Sequence, residues 1–193
     1  AHTIAPYVRE VIGIDISEDM LARARLHQRR SERFLDMDAR DLRFPDAAFS
    51  KVTARMVFHH ILDEPQRAAE ECRRVLKEGG TMILSEGVPP DRAAVSFYTE
   101  MFKLKEERLT FMEEDLVALM TSAGFRNIRV RTHWLRRCSI RNWIENSGLS
   151  EKRQAAILEM HVNMDASCRH AYRMHLRDGD CFIDMKFAIV TGV

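Results

Sequence analysis

The sequence predicts an α/β fold built on a mostly parallel β-sheet with helices on both faces. In the first half of the chain, short β-branched and apolar runs alternate with helical stretches, which is the pattern of strand–helix units in a parallel sheet. Near the C-terminus, two longer stretches alternate apolar and polar residues, as half-exposed antiparallel strands do. We therefore expect the late strands to extend the parallel sheet in the antiparallel direction.

The first strand and helix occupy the stretch VIGIDISEDMLARAR. Its opening run, VIGIDI (residues 11–16), is short and β-branched, as expected of a strand that is buried on both faces. Ser17 is a good N-cap, and Glu18 and Asp19 suit the positive end of a helix dipole. These signals predict a strand-to-helix turn immediately after Asp15.

Further strands and a long helix follow in order. The runs RFLDMD (33–38), SKVTARMVF (50–58) and TMILSEG (81–87) predict three strands. Pro65 at a first-turn position predicts the start of the helix, and Gly79-Gly80 predict its end through a left-handed cap. A continuous apolar stripe predicts the buried face of this helix: Ala68, Ala69, Cys72, Val75 and Leu76.

From residue 91 the sequence is richer in aromatic residues and methionine. AVSFYTEMFKLKEERL predicts a helix, and Thr110 with Glu113 forms a capping-box pattern for the next one, which Gly124 ends. Residues 139–176 predict two or three helices. The late strands are NIRVRTHW (127–134) and CFIDMKFAIV (181–190), and alternation predicts these residues on one face of each: Ile128, Val130, Thr132 and Trp134, then Cys181, Ile183, Met185, Phe187 and Ile189.

The length favours a single domain over residues 1–193. Within it, residues 91–110 and 136–178 are candidate cap segments that would shape a substrate site.

Composition excludes several classes of protein. With 30 basic and 29 acidic residues the net charge is +1, which argues against nucleic-acid or membrane-surface partners. The four cysteines are scattered, which argues against a disulfide framework or a zinc site and predicts reduced thiols in a cytoplasmic protein. No apolar run approaches the ~20 residues that a membrane-spanning helix needs.

Acidic residues follow three of the predicted strands. In open α/β sheets, ligands bind beyond the carboxyl ends of the strands, where Asp15, Asp38 and Glu86 stand. Asp15 can accept hydrogen bonds from both hydroxyls of a ribose, and Asp38 can accept one from the exocyclic amine of an adenine. The pair predicts an adenosine site; in the alternative interpretation each acid only caps the next helix or turn.

Three segments in order carry a family resemblance. VIGIDISEDMLARAR, DARDLRFPDAAFSKVTARMVFHHI and RRVLKEGGTMIL resemble the class I S-adenosylmethionine-dependent methyltransferases, in particular the small-molecule group that includes ubiquinone- and menaquinone-pathway enzymes. The match covers roughly residues 1–125. The resemblance implies a Rossmann-like, seven-stranded sheet with an antiparallel last strand, and methyl transfer to oxygen, carbon or nitrogen of a small molecule.

The resemblance also implies which residues bind S-adenosylmethionine. Asp15 would hold the ribose, with Ile16 and Met20 against the adenine. At the next strand end, Asp38 and Ala39 would meet the adenine edge. After the third strand, Arg55 and Met56 would line the methionine moiety through their backbone.

The family's glycine-rich loop and the central strand before it are not found in the sequence. A central strand is costly to delete, because both of its neighbours lose a ladder of hydrogen bonds. We therefore expect a natural N-terminal segment to precede this chain.

Methyl transfer is an in-line displacement that depends mainly on positioning, and it needs a base only if the acceptor must lose a proton. His59 and His60 are the candidate catalytic residues, since histidine titrates near neutral pH; alternatively, they order the following loop. A metal site is not expected from two adjacent histidines without a third ligand. The other late histidines, His161, His170 and His175, are predicted at the surface.

The acceptor site is less defined. Phe97 and Tyr98 are neighbours on a predicted helix and are candidates for the lid of an apolar pocket, although such residues also form cores or dimer surfaces. Arg136, at the entry to the last helical region, is a candidate to bind a carboxylate or phosphate of the acceptor.

Three alternatives remain open. A nicotinamide-dependent reductase would have a tyrosine with a lysine four residues on, but Phe102 follows Tyr98 and Leu176 follows Tyr172 at that spacing. For a nucleic-acid methyltransferase, the pair Pro89-Pro90 follows the wrong strand and no Pro-Cys pair occurs. The third alternative is a catalytically silent binding or dimerisation module, and a homodimer is also compatible with the enzyme.

Overall fold

The computed structural model describes residues 1–193, and its seven strands form two separate sheets. One is a parallel pair, β1 (Val11–Asp15) with β2 (Glu32–Asp36). The other has the order β3-β4-β7-β5, with β6 paired to β7. Its members are β3 (Phe49–Arg55), β4 (Leu76–Val88), β5 (Arg129–Ser139), β6 (His175–Arg177) and β7 (Asp180–Gly192).

Strand direction follows the two halves of the chain. The early strands pair in parallel, β1 with β2 and β3 with β4, while β7 runs antiparallel to β4, β5 and β6. The expected parallel start and antiparallel extension are therefore confirmed. The seven strands do not form one sheet, because no ladder joins β1 to β3.

Seven α-helices flank the sheets, together with three short 3-10 turns, of which Phe58–His60 is the one at the site. In chain order the helices are α1 (Glu18–Leu26), α2 (Pro65–Arg74), α3 (Val95–Lys105), α4 (Glu113–Ser122), α5 (Ile140–Glu145), α6 (Glu151–Val162) and α7 (Ala166–Ala171). None of them is long and apolar enough to cross a membrane.

Two large apolar cores lie on different parts of the five-stranded sheet. The first contains four residues of the predicted stripe, Ala68, Ala69, Cys72 and Leu76, together with Met82, Leu84, Leu116 and Met120. The second unites α3 and the three late helices with the start of β7. Residues from both candidate cap segments thus share one core, which is consistent with their forming a common cap.

The β1–β2 pair is held to the rest of the chain through side chains. A small apolar cluster of Met37, Leu42 and Val75 packs beneath it. Arg74 also donates to the carbonyl oxygens of Leu42 (2.7 Å) and Phe44 (2.8 Å), and Glu71 accepts the backbone N–H of Leu42 (2.8 Å). The loop after β2 is therefore fastened to α2.

Three boundaries differ from the sequence predictions. Helix α2 ends at Arg74 and β4 already begins at Leu76, so Gly79, at φ +69°, lies within the strand range rather than capping the helix. The N-cap of α4 is Met112, whose N–H donates to Asp115, because the Thr110 hydroxyl instead contacts Thr99.

The predicted faces of the late strands are correct only in part. On β7, Cys181 and Ile183 are buried in the cap core, but further along Ala188 and Val190 are the fully buried residues. The strand lies between two cores and uses a different face for each. On β5, Val130 is 41% exposed because this strand forms the edge of the sheet.

Candidate functional site

The first part of the candidate site lies at the carboxyl end of β1. Asp15 is half-buried, and its Oδ1 accepts the backbone N–H of Ser17 at 2.9 Å, while Oδ2 has no hydrogen-bond partner. Beside it, Ile16 and Met20 are 74% and 54% exposed. A carboxylate oxygen with free lone pairs next to two accessible apolar side chains fits a ribose bearing a purine.

The end of β2 is brought beside Asp15. Strand pairing places Asp15 opposite Asp36, and the N–H of Met37 donates to the Asp15 carbonyl at 3.2 Å. Asp38 follows, but Arg40 binds both of its carboxylate oxygens, and these hydrogen bonds lower the pKa of Asp38. Ala39 is half-buried against the first core. Contact between Asp38 and an adenine stays a prediction, and it requires lone pairs that Arg40 does not use.

The end of β3 turns sharply at Met56. Its φ of +55° is in the left-handed region that non-glycine residues seldom adopt. Its N–H donates to the Ser85 carbonyl at 2.9 Å, and its sulfur accepts the N–H of Gly87 at 3.2 Å. Arg55 is exposed at the last position of the strand. The backbone role predicted for Arg55 and Met56 is untested by these contacts.

Directly after this turn, a buried carboxylate organises the histidine pair. Glu86 of β4 is fully buried and accepts the backbone N–H groups of Val57 (2.9 Å) and Phe58 (2.8 Å). Its second oxygen lies 2.6 Å from Nδ1 of His59, which is 2% exposed. Glu86, the third acid predicted at a strand end, therefore orients His59 and the turn that carries it.

His60 is the more accessible histidine of the pair. Its ring centroid lies 4.0 Å from that of His59, and its side chain is exposed. Partial burial and the neighbouring His59 lower the pKa of His60 from its usual 6.5. At neutral pH this imidazole is therefore a neutral ring with a basic nitrogen, as a proton acceptor must be.

Two residues that the sequence analysis did not single out complete this part of the site. Glu106, in the loop after α3, has a ligand oxygen within 4.8 Å of nitrogens of both histidines. Burial raises its pKa, but contacts with Lys105 (2.6 Å) and Arg108 (3.3 Å) lower that pKa on balance. The Arg108 side chain is 3% exposed and lies over the Phe102 ring at 4.1 Å.

Tyr98 and Phe97 point into the cap rather than over an open pocket. Tyr98 is 7% exposed, donates its hydroxyl to the Gly87 carbonyl at 2.8 Å, and burial raises its pKa to about 12. Phe97 packs edge-on against the rings of His161 and Tyr172. These contacts favour the alternative that both aromatic residues are core, and a role in acceptor binding stays a prediction.

His161 corrects a prediction. It was expected at the surface, but it is 1% exposed, with Nδ1 bonded to the Ile157 carbonyl at 2.7 Å. Burial lowers its pKa to about 4. Its position on the inner face of α6 explains the difference, whereas His170 and His175 are exposed as predicted.

Arg136 lies at the rim of an open cavity of about 780 Å³. Its guanidinium is bound to Asp184 and stacks on Trp134 at 5.3 Å, so its charge is already partnered. Lys105 lines the same cavity and contacts Glu106. The cavity is therefore connected to the His59–His60 pair through Glu106. Binding of an acidic acceptor by Arg136 remains a prediction.

Several known proteins are similar to this chain in sequence. Residues 1–84 match a family model described as a methyltransferase domain. The methyltransferase YcgJ of Bacillus subtilis is 26% identical over 172 residues, which is 84% of this chain and 66% of that protein. Demethylmenaquinone methyltransferase of Thermus thermophilus is 41% identical over 91 residues, 44% of this chain and 40% of that enzyme. The chain thus spans less than two thirds of the length of these curated relatives.

Solved structures show the same fold. The crystal structure of YcgJ has a TM-score of 0.85 at 23% identity, over 99% of this chain and 85% of that one. A phosphoethanolamine N-methyltransferase of Haemonchus contortus, solved with S-adenosylhomocysteine, has a TM-score of 0.64 at 16% identity. The alignment covers 100% of this chain and 45% of that one. Residues 1–84 therefore match a methyltransferase domain, and the whole chain has the fold of these methyltransferase structures.

Proposed function

We propose that this chain transfers a methyl group from S-adenosylmethionine to a small-molecule acceptor. The observation that carries the proposal is Asp15, whose Oδ2 has no partner at the carboxyl end of β1 beside the exposed Ile16 and Met20. A relative named for the menaquinone pathway supports a small acceptor.

In this proposal, some residues bind the cofactor and others act on the acceptor. S-adenosylmethionine supplies an activated methyl group on a sulfonium. Asp15 binds the ribose hydroxyls, Ile16 and Met20 cover the adenine, and the turn at Met56 lines the methionine end. His60 accepts a proton from the acceptor where the acceptor is a hydroxyl or an acidic carbon, and Glu86 fixes that turn through His59.

Ligand titration separates this proposal from its rivals. Isothermal calorimetry of the chain with S-adenosylhomocysteine is expected to give one site per chain, and titration with NADPH is expected to give no heat. The opposite pattern would favour the nicotinamide-dependent reductase. S-adenosylhomocysteine binding without methyl transfer to any phenol or amine offered would favour the silent module.

Location and partners belong to the same proposal. The four cysteines are free, and three are buried, which supports a cytoplasmic location. The net charge of +1 supports a protein without nucleic-acid or membrane partners. A homodimer is a further part of the proposal, and its test is the mass of the particle in solution.

A further inference from the structure

The acceptor side of the site contains three potential metal ligands. One ligand atom from each of His59, His60 and Glu106 lies within 4.8 Å of the other two. Two adjacent histidines alone gave no reason to expect a metal. The fold changes this, because the loop after α3 brings a carboxylate to the histidine pair.

We propose that His59, His60 and Glu106 bind one divalent transition-metal ion. Two imidazoles and one carboxylate are a donor set of catalytic zinc sites, in which a fourth position stays open for water or substrate. The inference rests on the proposed function in one respect: the open position takes the oxygen of the methyl acceptor.

A buried carboxylate prepares His59 for this role. Nδ1 of His59 is 2.6 Å from Glu86, and the two side chains are 2% and 0% exposed. Because Glu86 accepts two backbone N–H groups with its other oxygen, it is fixed in place. Nε2 of His59 therefore keeps its lone pair for a metal, in the carboxylate–histidine–metal arrangement that tunes many such sites.

The remaining two ligands can adjust to the ion. Zinc–nitrogen bonds of 2.0–2.1 Å in a tetrahedron place ligand atoms about 3.3 Å apart, so the cluster must contract. His60 is exposed and Glu106 is half-buried, whereas His59 is held by Glu86. Contraction therefore needs movement of His60 and of Glu106, whose contacts with Lys105 and Arg108 must adjust with it.

Charge in the cluster points to the kind of acceptor. Glu106 contacts Lys105 and Arg108, and Glu86 lies beside His59, so two carboxylates offset two cations in the metal-free site. A carboxylate has about four lone-pair positions, which lets Glu106 keep its contacts with both cations while it binds the ion. The loaded site then has excess positive charge, which favours an acceptor that binds as an anionic oxygen.

The ion changes how the acceptor loses its proton. An ion held by His59, His60 and Glu106 would lower the pKa of a hydroxyl at its open position, and the proton would then pass to water. In the loaded site His60 is a ligand rather than the base. The metal-free chain keeps His60 as the proton acceptor.

Metal titration tests the proposal. The full chain, stripped with a chelator, is titrated with Co²⁺ by visible absorption and with Zn²⁺ by calorimetry, and one ion per chain is expected. His60→Ala and Glu106→Gln should each weaken affinity more than tenfold. Glu86→Gln, which favours the His59 tautomer protonated on Nε2, should weaken it roughly 10- to 100-fold. The matched controls His170→Ala and Glu107→Gln, both exposed, should bind like the parent.

Absence of saturable Co²⁺ or Zn²⁺ binding would overturn the proposal. Binding that His60→Ala and Glu106→Gln leave unchanged, while circular dichroism shows folded variants, would overturn it equally, because the ion would then lie elsewhere. The S-adenosylhomocysteine titration is made without metal, so a failure there is distinct from a failure of the metal site.

Discussion

At the scale of single residues, Glu86 is the group on which the acceptor side depends. One fully buried carboxylate binds two backbone N–H groups and one imidazole, all within the turn after β3. Sequence order placed Glu86 and His59 at strand ends, but nothing in the pattern joined them. Glu106 and Arg108 were missed because their loop reaches the histidines only through the fold.

Glu86→Gln tests this organising role. The amide keeps the shape of the side chain but loses the charge that strengthens all three contacts, so the free energy of unfolding should fall by about 1–3 kcal/mol. Urea unfolding measures the change. Unchanged stability would mean that the turn is held by other contacts. Glu78→Gln, an exposed substitution on the same strand, is the control.

His60→Ala tests the exposed ring as the proton acceptor in the metal-free protein. Loss of a positioned base costs roughly 10²–10⁴-fold in kcat, and the Kd of S-adenosylhomocysteine should stay the same. Because burial lowers the pKa of His60, the decline in the parent's rate on acidification should be centred at a lower pH than for an ordinary histidine. Equal rates for parent and variant with a phenolic acceptor would exclude His60 as the base.

At the scale of elements, the cap is a packed unit rather than an open lid. Helix α6 places His161 against Phe97, and α3 places Tyr98 beneath the end of β4. The sequence predicted the helices and their order well, because their periodicity and caps are local signals. It misplaced His161 and left Tyr98 open between core and pocket, because which face of a helix is covered depends on neighbours distant in sequence.

The buried His161 makes cap stability depend on pH. Its pKa is lowered from 6.5 to about 4 in the folded protein, so the unfolded chain binds the proton more tightly. The contribution of neutral His161 to the free energy of unfolding is complete above pH 6.5. It declines as the pH falls towards 4, and about 2 kcal/mol is lost at pH 5. His161→Leu should remove this part of the pH dependence in urea unfolding at pH 7 and 5. An unchanged difference between the two pH values would contradict it.

At the scale of the whole molecule, the site is formed by two separate sheets. Asp15 and Asp38 lie at the end of the β1–β2 pair, whereas Glu86 and the turn with Met56 and His59 lie at the end of β3 and β4 in the five-stranded sheet. The alternation of elements in the sequence predicted the parallel early strands and the antiparallel extension correctly. Local pattern alone does not show the split, since an unpaired strand edge has the same pattern as a paired one, but it agrees with the resemblance, in which the central strand is not found.

Hydrogen exchange tests this division. A two-stranded sheet is marginal by itself, and only a small cluster of Met37, Leu42 and Val75 packs beneath the β1–β2 pair. Amides of β1 and β2 should therefore exchange well before those of β4 and β7 in the ligand-free chain. Equal protection throughout would show that the two sheets open as one cooperative unit.

The binding of S-adenosylhomocysteine by Asp15 variants tests the central claim most directly. Calorimetric titration should show that Asp15→Ala weakens binding by about 1–3 kcal/mol, or roughly 5- to 150-fold, because the ribose loses its charged acceptor. Asp19→Ala, an exposed acid on the adjacent helix, should bind with the parent's Kd. An unchanged Kd in Asp15→Ala would contradict the assignment of the end of β1 as the cofactor site.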